Sequence, residues 1–425
     1  MTILVFIGSL IGAMALGMPI AYALLSCGIA LMYHLGATDA QILAQKLIDG
    51  TDNYPLMAVP FFLLAGEFMN VGGLSKRIVN VAMALLGHIR GGLGYVVIAS
   101  AMLLASLSGS AIADTAALSV LLLPLMRQGG YDLKRSVGLI ATAGIIAPVI
   151  PPSIGLVVFG VTAGVSITKL FFAGIAPGFM MAAALVATWW WLARREAFEL
   201  PEKKSMAEIV RAIVDAIWAF FLPVIIFVGL KMGVFTPTEA GVIAAVYALV
   251  VSLCVYREIS VGQVFEAFLA AAKTSAVIMI IVAASLVTAW LITIANIPDQ
   301  IIDILEPFMG NKFALMCMVM ILVFAVGTAL DFTPTILILT PVLMPVLKNA
   351  GIDPVYFGIL FIMNNAIGLI TPPVGTVLNV VCGIGRVNMD DAIKGVMPFM
   401  LVELLVMFLL VAFPSLVTVP ASFFR

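Results

Sequence analysis

Long apolar runs are the feature that most constrains the fold of this 425-residue chain. Only 10% of its residues are charged, whereas about 25% is usual in soluble proteins, so charge cannot cover a water-facing surface. Open strands cannot satisfy their backbone in lipid, and a spanning helix needs about 20 apolar residues. We therefore predict an all-α membrane protein with about 11–12 spans. The runs are Ile3–Met32, Leu56–Met69, Gly91–Leu107, Ser136–Ile150, Leu156–Phe172, Phe179–Leu192, Ile217–Leu230, Ala240–Val255, Ala276–Ile294, Phe313–Leu330, Val355–Ile370 and Val396–Phe413.

The sequence lacks the patterns of several other classes of protein. A net charge of −1 without a basic stripe argues against a nucleic-acid partner. Cys27, Cys254, Cys317 and Cys382 are spaced too widely for a metal or redox motif. No HExxH, Walker A or GxSxG motif occurs, so we do not predict an enzyme. Without a nucleotide-binding segment, any transport must draw on an ion gradient.

One polar stretch near the middle divides the chain. It covers residues 194–215 and should be a cytoplasmic connector, because loops rich in Lys and Arg stay on the cytoplasmic side. The first apolar run, Ile3–Met32, has no basic segment before it and no clear cleavage site, which favours a retained first span. The basic residues of the connector are Arg194, Arg195, Lys203, Lys204 and Arg211.

The two halves of the chain resemble each other at a shift of 221 residues. Pro148-Val-Ile-Pro-Pro152 matches Leu369-Ile-Thr-Pro-Pro373, and Gly130-Tyr-Asp132 matches Gly351-Ile-Asp353. Two tandem prolines at one offset favour an internal repeat. We assign the first repeat to residues 1–193 and the second to 216–425. Repeats in transporters are usually inverted, with substrate and ions bound at broken helices near the midplane.

Each half interrupts an apolar run with small polar residues, at 105–115 and at 327–335. We interpret these segments as the tips of helical hairpins that enter the membrane and turn back, around 93–127 and 313–348. Such a tip exposes carbonyl and hydroxyl oxygens, which hard cations bind, and the helix N-terminus beyond it favours an anion. The alternative is that the small residues only allow close helix packing. Their recurrence in both halves favours the hairpins.

The tandem prolines should unwind one span in each half. Proline has no N–H to donate, and its ring clashes with the carbonyl four residues earlier. The freed carbonyls around 148–152 and 369–373 are then available to an ion between tip and unwound segment. A plain kink is the alternative interpretation.

Acidic residues inside apolar runs are the third signal, because an ionised carboxylate in the membrane interior costs at least about 2.5–3.5 kcal/mol. Asp114 and Asp331 stand at the predicted tips and are the first candidates. Glu67 comes next, with an interhelical hydrogen bond as its alternative role. Glu403 ranks last, since a position near a span end would let it reach the interface.

These motifs resemble the large membrane subunit of tripartite ATP-independent periplasmic (TRAP) transporters. The resemblance covers nearly the whole chain and implies a fold of the ion-transporter class, with a scaffold and a mobile elevator domain that carries two hairpins. It also implies a bacterial inner-membrane location and identifies Glu239 as a structural residue. The segments that carry it are Ser106–Thr115, Gly144–Ser153, Phe235–Gly241 and Ile370–Gly375.

The resemblance also implies residue roles. At least two Na⁺ ions would bind, the first at Ser106, Ser108, Gly144, Val149 and Pro152, and the second at Gly327, Thr328, Gly368 and Thr371. An organic-acid substrate would lie between the tips, near Ser108, Ser110, Asp114, Ser166, Asp331 and Thr335.

The implied function is sodium-coupled import of an organic acid delivered by a soluble periplasmic binding protein. Sialic acid is the first expectation, with a keto-sugar acid or a C4-dicarboxylate as alternatives, since those members share the same motifs. Because Met1 leads straight into the first span, we expect the small four-helix membrane subunit to be a separate chain. An uncoupled organic-anion channel is the alternative of a different class.

Overall fold

The computed structural model describes residues 2–36, 39–194, 198 and 202–422. Residues 195–197 and 199–201 of the predicted connector, with Arg195 among them, lie outside this range. Every regular element in the described part is a helix. The helices are α1 (Thr2–Ala15), α2 (Ile20–Leu35), α3 (Ala40–Thr51), a 3₁₀ turn (Tyr54–Met57), α4 (Ala58–Val71), α5 (Leu74–Leu86), α6 (Gly92–Ser108), α7 (Ala111–Gln128), α8 (Leu133–Gly144), α9 (Ile154–Ala163), α10 (Ile167–Ala193), α11 (Met206–Asp215), α12 (Ile217–Lys231), α13 (Pro237–Val250), a π turn (Val251–Tyr256), α14 (Val261–Ile294), α15 (Ile297–Met309), α16 (Lys312–Ala329), α17 (Phe332–Asn349), α18 (Pro354–Gly368), α19 (Thr376–Gly385), α20 (Met389–Ala412) and α21 (Ser415–Ser422).

The first apolar run forms two helices rather than the single first span predicted from the sequence. Gly17 has a φ of +79°, a conformation that L side chains rarely adopt. Pro19 precedes α2 and cannot continue a helix, because it lacks an N–H group. The two helices pack against each other, and the Cys27 thiol donates to the Phe6 carbonyl at 3.3 Å. The correction is that this run is a helical hairpin of 14 and 16 residues.

Two further hairpins repeat along the chain. The pair α6 and α7 turns at Gly109 and Ser110, and the pair α16 and α17 turns at Leu330 and Asp331. Helices α7 and α17 both have 18 residues, and Phe332 begins the second 221 positions after Ala111 begins the first. The spacing seen in the sequence motifs is therefore also the spacing of the helices.

Each repeat also contains a broken helix. The first consists of α8 and α9 with an irregular segment of residues 145–153 between them, and the second consists of α18 and α19 around residues 369–375. Both irregular segments contain a tandem proline pair, Pro151–Pro152 and Pro372–Pro373, joined by a cis peptide bond. The prolines therefore interrupt the helices at equivalent places.

The packing of the helices has two-fold pseudo-symmetry. Helix α7 packs on α19 as α17 packs on α9, and α8 packs on α20 as α18 packs on α10. Contacts within each repeat also match, since α6 packs on α8 in the first repeat and α16 packs on α18 in the second. This symmetric pattern of helix contacts confirms the predicted fold of two related repeats, each with a hairpin and a broken helix. We call α6–α10 with α16–α21 the hairpin bundle, and α1–α5 with α11–α15 the frame.

Among the described residues, eight helices are long and apolar enough to cross a membrane alone, or nine if α11 and α12, bent by 52°, form one span. Each half of a broken helix is too short to do so, and α1 and α2 are also short. The total of about 11–12 spans stays a prediction, since helix length alone does not settle how short helices combine. In the connector, α11 buries none of its side chains.

Candidate functional site at the hairpin tips

The first tip is organised around a buried acid. Asp114 lies one turn into α7 and is 1% exposed. Its Oδ1 atom accepts a hydrogen bond of 2.5 Å from the Ser108 hydroxyl, which itself accepts one from the Ser110 N–H at 3.1 Å. Ser110 caps α7 by accepting from the Ala113 N–H at 3.4 Å. The Oδ2 atom of Asp114 has no partner in the described part of the chain.

This tip lies directly against the first broken helix. A Cβ atom placed on Gly109, whose φ is +61°, would lie 2.8 Å from the Ser153 Cα atom and would overlap the Pro152 carbonyl oxygen. A Cβ atom on Gly144 would overlap the Thr115 hydroxyl oxygen. Glycine is needed at both positions because backbone approaches backbone or side chain there. Ser108, Ser110, Asp114, Gly144 and Pro152 therefore lie close together where the first tip meets the first broken helix.

The second tip has a different arrangement of polar groups. Asp331 is the N-cap residue of α17, and its side chain makes no capping hydrogen bond. Its carbonyl accepts from the Thr335 hydroxyl at 2.9 Å. Its Oδ1 atom accepts from the hydroxyl of Thr376, the first residue of α19, at 3.3 Å. The tip is thus bound to the second broken helix through Asp331.

Backbone contact with the second broken helix is also close. A Cβ atom on Gly368 would lie 2.7 Å from the Gly327 carbonyl oxygen. Asn365 in α18 donates from Nδ2 to the Phe332 carbonyl at 2.7 Å, and its Oδ1 atom has no partner among the described residues. The sequence analysis did not assign Asn365, although two adjacent asparagines in an apolar run are a signal that would have found it.

The second tip also meets the first broken helix. A Cβ atom on Gly155, in the first turn of α9, would lie 2.6 Å from the Phe332 ring at the second tip. The N-terminus of α7 lies beside that of α9 through Gly109 and Ser153, and α17 lies beside α19 through Asp331. Four helix N-termini are therefore successive neighbours in space: that of α7 lies beside α9, that of α9 beside α17, and that of α17 beside α19. Because a helix N-terminus carries partial positive charge, this arrangement favours an anion.

Three predicted sodium ligands use their hydroxyl groups inside their own helix or segment. Ser106 donates to the Leu103 carbonyl at 2.7 Å, and Thr328 and Thr371 donate to carbonyls three and four residues earlier, at 2.7 and 2.8 Å. Thr371 also lies 3.5 Å from the Met400 sulfur atom. In this conformation these three hydroxyl groups therefore donate to the backbone of their own segments.

Two other predicted residues face away from the tips. The Val149 carbonyl lies against Gly174 of α10, where a Cβ atom would overlap it. Ser166 is exposed and caps α10, accepting from the Lys169 N–H at 3.4 Å. The ten residues of α9 separate it from Ser153, and a helix of that length spans about 15 Å. The prediction that Ser166 lies between the tips is therefore wrong.

The remaining acids of the sequence analysis have distinct surroundings. Glu239 accepts from the Thr236 N–H at 2.7 Å in a capping box, which agrees with a structural role. Glu67 is half-buried in α4, next to Gly66, where a Cβ atom would lie 3.5 Å from the Ser108 Cβ atom. Glu403 is fully buried in α20 rather than placed at an interface.

Residues 7–416 match the family described as Tripartite ATP-independent periplasmic transporter, DctM component. The chain belongs to this family. It is a multi-pass protein of the bacterial inner membrane and acts as a large permease for organic acids rather than as an enzyme. The tips and broken helices are therefore parts of a transport protein.

Similar proteins include two named TRAP permeases. The chain is 53% identical to the 2,3-diketo-L-gulonate TRAP transporter large permease protein YiaN of Escherichia coli, with 99% of each chain covered. It is 34% identical to the sialic acid TRAP transporter large permease protein SiaM of Vibrio cholerae, with 96% of each covered. The Alcanivorax borkumensis YdaH transporter matches the fold with a TM-score of 0.61 at 16% identity, covering 88% of both chains.

Proposed function

We propose that this permease imports a keto-sugar acid together with Na⁺. The observation that carries the sodium part is a set of buried oxygen atoms without partners beside the two tips, namely Asp114 Oδ2, Thr115 Oγ1 and Asn365 Oδ1. Buried polar atoms in proteins are rarely left unpaired. Acceptors without donors are the environment that a cation satisfies, and unwound carbonyls at broken helices are the usual sodium ligands in transporters.

Two ions are proposed, one in each repeat. The C-terminal ends of α8 and α18 point toward the irregular segments and add partial negative charge, which favours cations. The proposed ligands of the first ion are Ser108, Asp114, Thr115 and the Pro152 carbonyl, and those of the second are Asn365 and the Gly327 carbonyl beside Gly368.

The substrate is proposed from sequence similarity and from the chemistry of the tips. A relative at 53% identity is named for 2,3-diketo-L-gulonate, whereas the relative named for sialic acid is at 34%. This difference favours a keto-sugar acid over sialic acid, the first expectation. No Lys or Arg occurs in residues 105–115, 145–155, 327–336 or 364–377. The carboxylate of the substrate would therefore be held by helix N-termini and hydroxyl groups.

Movement of the hairpin bundle against the frame is the proposed transport step. A cavity of about 580 Å³ lies between α6, α10 and α12, at the boundary of the two units, and its wall is almost entirely apolar. Apolar walls hold no directional hydrogen bonds that sliding would break. Since the family is tripartite, we propose a small membrane subunit and a periplasmic binding protein as partners.

Uptake by proteoliposomes containing the permease and both partners tests this function. We expect 2,3-diketo-L-gulonate to accumulate only under an inward sodium gradient, and N-acetylneuraminate to compete poorly. Accumulation that does not depend on sodium would contradict the coupling, and preferred uptake of N-acetylneuraminate would contradict the substrate class. Counterflow without accumulation would instead indicate an uncoupled channel.

A further inference from the structure

Glu403 is a carboxyl group that no contact at the tips uses. Its side chain is 0% exposed, and neither Oε1 nor Oε2 has a hydrogen-bond partner in the described part of the chain. A charged carboxylate in such a place is costly, and acidic residues within membrane proteins are functional candidates for that reason. An apolar residue of similar size would pack there without this cost.

Contacts on both sides of Glu403 define its level in the hairpin bundle. On one side, the Thr371 hydroxyl lies 3.5 Å from the Met400 sulfur atom. On the other, the Tyr356 hydroxyl donates to the Leu410 carbonyl at 3.1 Å. Helices α18 and α20 are therefore antiparallel neighbours, and Glu403 lies alongside the last turns of α18.

Helix α8 reaches the same level from the other repeat. A Cβ atom on Gly138 would overlap the backbone of Gly395, and Lys134 pairs with Asp391 at 2.8 Å, so α8 and α20 run parallel. Eight residues beyond Gly395, Glu403 lies near the end of α8. The C-terminal ends of α8 and α18, the first halves of the two broken helices, therefore both lie close to this carboxyl group. Helix C-termini carry partial negative charge, which favours a positive ligand there.

No basic group on a neighbouring helix pairs with Glu403 within the described residues. Helices α8, α10, α16, α18, α19 and α21 pack against α20. Lys134 lies about three turns from Glu403 along α20 through its pair with Asp391. The other basic residues of these helices lie at helix ends, and the remaining titratable groups are a tyrosine and two cysteines. These residues are Arg135, Lys169, Arg194, Lys312, Arg386, Tyr356, Cys317 and Cys382.

We propose that Glu403 is a proton-binding site at the centre of the hairpin bundle. Its carboxyl group is neutral in this conformation and releases its proton from Oε to water when movement of the bundle admits water. Protonation removes the charge that no partner offsets, and the two helix C-termini strengthen the binding of the proton. The site depends neither on the identity of the organic acid nor on sodium coupling.

Infrared spectroscopy of the purified permease tests whether the site is occupied. We expect a band of a protonated carboxyl group at neutral pH that disappears in Glu403→Gln and remains in Glu266→Gln. Glu266 is the matched control because it is an exposed glutamate of α14. Spectra of wild type and Glu403→Gln without a difference in this region would overturn the proposal. If Glu403→Gln does not insert, Glu403→Asp retains the carboxyl group and should shift the band.

Transport under an imposed pH difference tests whether the proton exchanges. At a fixed sodium gradient, one pH unit corresponds to a tenfold difference in proton concentration, so accumulation by wild type should change by up to about tenfold. Glu403→Gln should not respond, and Glu266→Gln should respond like wild type. A wild type that is indifferent to pH, or a Glu403→Gln variant that responds, would overturn the proposal. Sodium dependence measured in the same vesicles tests the proposed function separately.

Discussion

The substitution Gly144→Ala tests the contact between α8 and α7 at the first tip. A Cβ atom on Gly144 would lie 2.9 Å from the Thr115 Cβ atom and would overlap the Thr115 hydroxyl oxygen. Carbon atoms pack at about 3.5–4.0 Å, so the two helices must separate by about 1 Å. Overpacking of this kind costs about 1–3 kcal/mol.

We expect this cost to appear in sodium binding, because the Thr115 hydroxyl, Asp114 and the Pro152 carbonyl are proposed ligands of the first ion. A loss of 1–3 kcal/mol corresponds to about a 5–150-fold change in affinity. The sodium concentration for half-maximal uptake in proteoliposomes should therefore rise by about that factor.

Gly383→Ala is the matched control for this experiment. Gly383 lies in α19 with nothing within 4 Å of its added Cβ atom, so the substitution should leave sodium dependence unchanged. Thermal unfolding of both variants in detergent separates a local effect from a loss of folding. If Gly144→Ala shows wild-type sodium dependence and wild-type thermal stability, the close contact deduced here is refuted.

Three further substitutions have defined outcomes. Gly368→Ala places a Cβ atom 2.7 Å from the Gly327 carbonyl oxygen, so uptake should fall while Gly383→Ala transports normally. Ser166→Ala should leave the substrate concentration for half-maximal uptake unchanged, because Ser166 is exposed and far from the tips; a weakened substrate affinity would contradict its placement. Glu258→Gln removes the negative charge from the acceptor of a 2.7 Å hydrogen bond from Arg77. That bond and the charge of Arg77 hold the pKa of Glu258 below 4.5. The wild type should therefore be the more stable protein at neutral pH and should lose its advantage as the pH falls below 4.5, measured by thermal unfolding.

The repeat and its broken helices follow from the sequence because proline acts locally. A tandem proline removes two N–H donors wherever it stands, so it interrupts a helix without regard to tertiary contacts. Pro151–Pro152 and Pro372–Pro373 therefore predicted both irregular segments. Pro19 acts by the same rule, and with Gly17 it explains why one apolar run forms two helices.

The register of the polar residues at the tips did not follow from the sequence. Asp114 and Asp331 looked equivalent as acids beside small polar residues, but Asp331 is the N-cap of α17 while Asp114 lies one turn inside α7. The position equivalent to Asp331 is Ser110, the N-cap residue of α7, whose side chain, unlike that of Asp331, makes a capping hydrogen bond. Where a chain turns inside a membrane depends on which carbonyl and N–H groups find partners, and apolar periodicity carries no information about this.

Side-chain direction is the second limit of the sequence. Ser106 and Ser108 are two positions apart in one helix, so their side chains point about 200° apart. Ser108 therefore reaches Asp114, while Ser106 donates back to Leu103 and borders the apolar cavity. A sequence motif that contains both serines therefore identifies a segment of the chain, but the two side chains do not belong to one site.

The asymmetry of the tips provides an argument for coupled binding. The first tip buries a carboxylate, Asp114, whose negative charge opposes an anion beside the N-termini of α7 and α9. A cation on Asp114 would cancel that charge and leave the helix dipoles to attract the carboxylate of the substrate. Binding free energies are reciprocal, so an ion that strengthens substrate binding is itself bound more tightly when substrate is present. We therefore expect Asp114→Asn, which is neutral without an ion, to keep substrate binding and to lose its dependence on sodium.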